Sequence, residues 1–123
     1  MALSKGEEQL MSYLWKLGKG FLKDLINCYP DPKPAGTTVA TLLKRMGDKG
    51  YVSHTLYGNS REYYPLIKKE DYFSQKMNGI IKTNFEDSMS LFSSFFTSTH
   101  NLTNAELEEL KKIVEKEIKK RKK

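Results

Sequence analysis

The stretch that decides the fold runs Thr37-Thr38-Val39-Ala40-Thr41-Leu42-Leu43-Lys44-Arg45-Met46-Gly47-Asp48-Lys49-Gly50. It continues as Tyr51-Val52-Ser53-His54-Thr55-Leu56-Tyr57-Gly58-Asn59-Ser60-Arg61-Glu62-Tyr63-Tyr64-Pro65. Its hydrophobic period changes midway. Val39, Leu42, Leu43 and Met46 recur at i, i+3, i+4 and i+7, which puts them on one face of a helix over 37–49. Thr38, Thr41, Lys44, Arg45 and Asp48 are left on the solvent side. Gly50 ends the helix, and Gly47 within it costs roughly 1 kcal/mol relative to alanine, which loosens the final turn. From Tyr51 the period becomes two, with β-branched and aromatic residues over 51–57. Gly58-Asn59-Ser60 is a turn signal, 61–64 is the returning strand, and Pro65 closes it.

Working upstream, Ser4 and Glu7 stand at capping-box spacing ahead of Leu10, Met11, Leu14 and Trp15, the buried face of a first helix stopped by Gly18. Phe21, Leu22, Leu25 and Ile26 predict a second, short helix over 21–29. The run Pro30-Asp31-Pro32-Lys33-Pro34 ends it, because proline cannot continue a helix. Three helices and a hairpin within this length give the order of a winged helix-turn-helix.

Downstream of Lys68 the chain reads as helical over 70–96. Thr103 and Glu106 form a second capping box, opening a last helix with Leu107, Leu110, Ile113, Val114 and Ile118. These amphipathic helices carry more aromatic and aliphatic surface than they can bury alone. The expected cover is the same segment of a second copy, in a two-fold dimer. The dimerisation face is expected at Tyr72, Phe73, Met77, Ile81, Phe85, Met89, Phe92, Leu107, Leu110 and Val114. The fold class is thus mainly α with a small β-hairpin. A winged-helix domain at 1–67 precedes a helical dimerisation element at 68–123.

Composition narrows the function classes. The chain has 123 residues, 38% hydrophobic and 29% charged, which suits an ordered, helix-rich protein rather than a disordered one. Its net charge of +6 favours polyanionic partners, and residues 1–66 and 67–123 each carry +3. One cysteine, Cys28, excludes an internal disulfide and a cysteine-rich metal site. No apolar run reaches the ~18–20 residues of a membrane span, and the first residues lack the pattern of a signal peptide, so a cytoplasmic location is expected. His54 falls in a strand and His100 in a loop, neither with a second ligand or a carboxylate at catalytic spacing. Gly18-Lys19-Gly20 is too short for a phosphate loop. No enzyme activity, cofactor or metal is therefore expected.

The candidate site is the outer stripe of the 37–49 helix joined to the hairpin tip. Thr37, Thr38 and Thr41 offer hydroxyls to phosphates or base edges and methyls to thymine, while Lys44 and Arg45 neutralise backbone phosphate. Asn59, Ser60 and Arg61 would lie along the backbone or minor groove as a wing. The partner implied is double-stranded DNA. The lysines from Lys111 to Lys123 complement a helix dipole or add a phosphate contact. A winged-helix protein-interaction module and a small-molecule-sensing regulator are the alternatives.

The chain resembles the BlaI/MecI family of penicillinase and methicillin-resistance repressors, to which the copper-responsive CopY repressors are related. The carriers are Glu8–Trp15, Thr37–Met46 with Lys49–Val52, Arg61–Leu66, Phe85–Leu91 and Leu102–Lys111, in that order over nearly the whole chain. The resemblance implies a homodimer that binds a palindromic operator and represses resistance or stress genes, inactivated by a sensor-linked protease. It places Thr38, Thr41 and Arg45 at recognition-helix positions that touch DNA. Family members often carry lysine and arginine where this chain has Thr37 and Ala40, so it implies no operator sequence. The Asn-Phe bond cut in the β-lactam repressors aligns with Phe92-Ser93. The copper branch needs several C-terminal cysteines, which this chain lacks.

Overall fold

Ser4 starts the structure as the sequence predicts. Its hydroxyl accepts from the Glu7 amide at 3.2 Å, and the Glu7 carboxylate accepts from the Ser4 amide at 2.7 Å. The computed structural model describes residues 2–99 and 101–122, so His100 and Lys123 lie outside the described residues. In chain order the elements are α1 (Lys5–Leu17), β1 (Gly20–Phe21), α2 (Leu22–Asn27), α3 (Gly36–Asp48), β2 (Val52–Tyr57), β3 (Ser60–Pro65), α4 (Lys69–Asn84), α5 (Met89–Thr99) and α6 (Asn104–Arg121). They fall into two units, Met1–Gln75 and Lys76–Lys123.

In the first unit the apolar stripes of three helices meet. Leu10, Met11 and Leu14 of α1, Leu25 of α2, and Val39, Leu43 and Met46 of α3 are all at most 1% exposed. Leu42 packs against this core while staying partly exposed. The strands form an antiparallel sheet in the order β1-β3-β2. Tyr57 pairs with Ser60, leaving Gly58 and Asn59 as the two-residue turn, and Gly58 has a φ of 62°. Glycine at the first central position is the type II′ pattern, whose twist suits a hairpin.

Two expectations are corrected here. The second helix spans Leu22–Asn27 rather than 21–29, because Gly20 and Phe21 are drawn into the sheet opposite Tyr63 and Glu62. At its other end the Cys28 and Tyr29 amides donate to the Leu25 and Ile26 carbonyls, a tighter turn than an α-helix. The helical stretch over 70–96 is two helices, not one. Glu86 and Asp87 adopt φ of 53° and 56°, and the Ser88 hydroxyl accepts from the Leu91 amide to open α5. A polar pair in the left-handed region followed by a serine cap is a helix break that apolar spacing does not register.

A buried ion pair ties the ends of α1 and α3 together. Glu7 is 1% exposed, and Lys49, at the end of α3, donates to its Oε1 at 2.6 Å and to the Ala2 carbonyl at 3.1 Å. Burial alone would raise the Glu7 pKa, but the hydrogen bonds from Lys49 and Ser4 and the Lys49 charge outweigh it and hold it below the ordinary carboxylate value. Nearby, Trp15 donates to the Ile67 carbonyl at 2.9 Å, and Tyr72 donates to Glu8 at 2.7 Å. Tyr72 is 5% exposed, and burial and the Glu8 bond push its phenol pKa well up.

In the second unit no residue of α5 or α6 is buried among those described. Phe85 meets Phe92 edge-on at 5.4 Å and Phe95 at 5.2 Å, while Phe92 stacks on Phe96 at 6.1 Å. Met89, Leu91, Phe95, Ile113, Val114 and Ile118 are 48–60% exposed.

Removing one partner of the Glu7–Lys49 pair strands a buried charge, so Lys49→Met should lower unfolding free energy by about 3 kcal/mol in urea titrations. Because folding lowers the Glu7 pKa, its contribution is full above the unfolded value, ~4.3, and disappears as pH falls through the folded one. Wild type should therefore lose more stability between pH 5 and 3 than Glu7→Gln. A Cβ on Gly47 would meet only the Val52 carbonyl at 3.7 Å and the Val52 Cγ2 at 4.0 Å. Gly47→Ala should accordingly stabilise the protein by about 0.5–1 kcal/mol, read as a higher thermal midpoint.

Candidate nucleic-acid interface

Burial of Val39, Leu43 and Met46 fixes which side of α3 faces water. Thr37, Thr38, Thr41, Lys44, Arg45 and Asp48 are all exposed. Thr37, Thr38, Thr41 and Arg45 line one shallow hollow on that surface. The Thr41 hydroxyl donates to the Thr37 carbonyl at 2.9 Å. Its proton is thereby committed, which leaves lone pairs and a methyl for a base edge: it can accept from an amino group or pack on a thymine methyl.

The charges on this face are loosely held. Lys44 pairs with Asp48 at 3.5 Å, but both side chains are mostly exposed. Such an exposed i,i+4 pair contributes only about 0.3–0.5 kcal/mol, so a phosphate can displace Asp48 from Lys44. Arg45 and Arg61 have no carboxylate within 4.0 Å among the described residues.

The sheet stands beside this face. Thr41, Lys44 and Asp48 of α3, His54 of β2, and Arg61 and Tyr63 of β3 line a groove of about 540 Å³. Lys23 of α2 lies with Asn59, Ser60 and Arg61 around a second hollow. Arg61 lines both, so β3 links the helix face to the hairpin tip. Sequence reasoning does not single out Lys23 or His54 for this surface. A single lysine on a short helix gives no signal, and His54 reads as an ordinary strand residue until the sheet is placed next to α3.

The residues expected at a dimer face separate into two groups. Tyr72 and Phe73 belong to the first unit, where both pack on Trp15 at 5.6 and 5.8 Å. Tyr72 therefore spends its surface in its own chain, while Phe73 stays 39% exposed. Ile81 is 5% exposed and likewise has little left to offer a partner. Met77 and Met89 are 44% and 60% exposed. Phe92, Leu107, Leu110 and Val114 line an apolar groove of about 520 Å³ between α5 and α6, and Phe85 packs edge-on against Phe92.

A helix-plus-hairpin unit with a polar, basic outer face has counterparts among known proteins. The family model described as penicillinase repressor matches residues 3–116. The chain belongs to the penicillinase repressor family. No curated protein matches the chain. The family is one of DNA-binding transcriptional repressors, and the helix-plus-hairpin unit above is its winged helix. DNA is accordingly the partner class of the repressor, and its family consists of transcription regulators, not enzymes. Among the described residues no helix is long and apolar enough to cross a membrane.

The side chains of Thr38, Lys44, Arg45 and Arg61 are exposed and lie outside the core. Alanine at Thr38, Lys44, Arg45 or Arg61 should leave unfolding free energy within about 0.5 kcal/mol of wild type in chemical denaturation.

Proposed function

We propose that the protein is a homodimeric repressor that reads a palindromic operator with α3 in the major groove and the β2–β3 wing on the adjoining backbone. The observation that carries this reading is the α3 surface. It is free of large apolar side chains, its threonines are spaced to meet base edges, and its cations are held by weak pairs or none. Thr37, Thr38 and Thr41 are assigned to base edges, with Lys44 and Arg45 on phosphates. Asn59, Ser60 and Arg61 follow the backbone as a wing, and Lys23 and His54 join them as phosphate contacts.

The second unit supports a dimer. Its helices α5 and α6 bury no residue among those described and expose Met89, Phe95, Ile113 and Val114. Exposed apolar surface of this kind marks an interface. Met77, Phe85, Met89, Phe92, Leu107, Leu110 and Val114 are assigned to it. Two copies then present two reading helices to half-sites about 34–36 Å apart. Relief of repression by proteolysis belongs to the same reading, since cutting the second unit would release one reading helix from the other. The Phe92-Ser93 bond that aligns with the cut bond of β-lactam repressors lies within α5.

The test is a footprint of the purified protein on DNA upstream of its own gene and its neighbours, with affinities measured across a salt series. A two-fold-symmetric protected site is expected, with affinity falling steeply as salt rises. Arg45→Ala should weaken binding to all sequences by roughly tenfold, whereas Thr41→Val should mainly alter sequence preference. An unprotected or asymmetric region, or unchanged footprints for both variants, would count against the reading.

A further inference from the structure

Charge along the chain is less even than its two +3 halves suggest. Residues 111–123 hold eight Lys/Arg and two Glu, so these thirteen residues carry the whole net charge of +6. Residues 1–110 balance to zero. The excess is ordered around the helix as well as along the sequence. Lys112, Lys116, Lys119 and Lys122 follow at i, i+4, i+7 and i+10, which is one side of α6. All four are exposed and line one shallow hollow with Glu115 and Ile118. Among the described residues none of the four has a carboxylate within 4.0 Å, whereas Arg121 pairs with Glu117 at 3.0 Å.

The apolar side of the helix points elsewhere. Leu107, Leu110 and Val114 line the groove beside α5, and Leu107 and Leu110 are half-buried there. With about 3.6 residues per turn, the lysine row lies roughly 150° around α6 from that stripe. Cations in the last turn of a helix complement its dipole, but that effect fades within the turn, and Lys112 and Lys116 stand earlier. Like charges at i, i+4 destabilise a helix slightly, so the row costs α6 stability with no paired carboxylate to offset it.

We propose that this lysine row is a second duplex-contacting surface, binding the phosphate backbone of DNA without reading bases. It goes beyond the reading above, which places every DNA contact in the first unit, and takes from it only the duplex as partner. The row spans about 15 Å, over which one strand of a duplex presents about four phosphates. Lysine suits such an array, because each ammonium is a point charge with three rotatable donors on a long stem. An anionic bilayer is the poorer match. A helix lying in a bilayer surface sinks its apolar face among the lipids, and the apolar stripe of α6 is turned to α5 instead.

DNA binding by the full chain, measured from about 0.05 to 0.5 M salt on the footprinted site and on an unrelated duplex, tests the surface. Lys112→Gln/Lys116→Gln/Lys119→Gln should make the log–log salt dependence shallower by about 0.9 per lysine removed. Affinity for both duplexes should fall by a similar factor, on the order of tenfold at low salt. A gain is the second arm. Glu115→Lys puts a further cation into the row and should tighten both duplexes several-fold, with a steeper salt dependence. Glu117→Lys makes the same change in charge on the far side of α6 and should do much less. The gain decides the matter even where the triple variant folds poorly.

Unchanged affinity and salt slope in the triple variant would overturn the proposal, as would equal gains from Glu115→Lys and Glu117→Lys. Binding of wild type to phosphatidylserine vesicles that the triple substitution abolishes, with DNA affinity kept, would give the row to a membrane and overturn it too. Failure of the α3 reading looks different. Wild type would then protect no site and Arg45→Ala would change nothing, while the unrelated duplex still reports on the lysine row.

Discussion

Everything on the outer face proposed for DNA depends on how α3 is seated. Val39, Leu43 and Met46 are buried to within 1% against the apolar stripes of α1 and α2. A helix has one orientation in which three such side chains leave water together, and burying each contributes about 1.5–3 kcal/mol. Rolling α3 by one position would expose that stripe and bury Lys44 or Arg45. Packing on the inner side thus decides what the outer side shows. The Lys49–Glu7 pair adds a polar anchor at the end of the same helix, linking it to the capping box of α1.

The wing depends on that seating as well. The Tyr51 amide donates to the Met46 carbonyl, and Gly50, at φ 85°, lets the chain turn from α3 directly into β2. The hairpin is then held from its far side by β1, whose two residues pair with β3. A two-stranded ribbon alone is marginal in water, and the third strand and the packed helices are what make it a fixed feature. Because the sheet is fixed, Arg61 and His54 come to share a groove with Lys44 and Thr41.

The second unit follows a different logic. Its aromatic rings cluster along α5, but α5 and α6 have no interior among the described residues. The first unit has a closed core and a polar face, and the second has apolar and strongly polarised surfaces. Such a division is what the proposed function asks for, recognition local to one unit and assembly local to the other.

The sequence by itself determined the elements whose periodicity is strong: α1 and its capping box, the helix at 37–49, the hairpin, and the cap that opens α6. In each, apolar spacing and local capping act within a few residues, so a linear reading captures them. It could not show β1, because a two-residue strand exists only through its pairing with Tyr63 and Glu62, some forty residues away. It missed the break at Glu86–Ser88 for the related reason that apolar spacing continues through a backbone reversal. It grouped Tyr72 with the dimer face, since an aromatic residue on a helix looks the same whether its cover is Trp15 of its own chain or a second copy. The places of Lys23 beside the hairpin and of His54 beside α3 were likewise decided only in three dimensions, where packing juxtaposes surfaces that the chain keeps far apart.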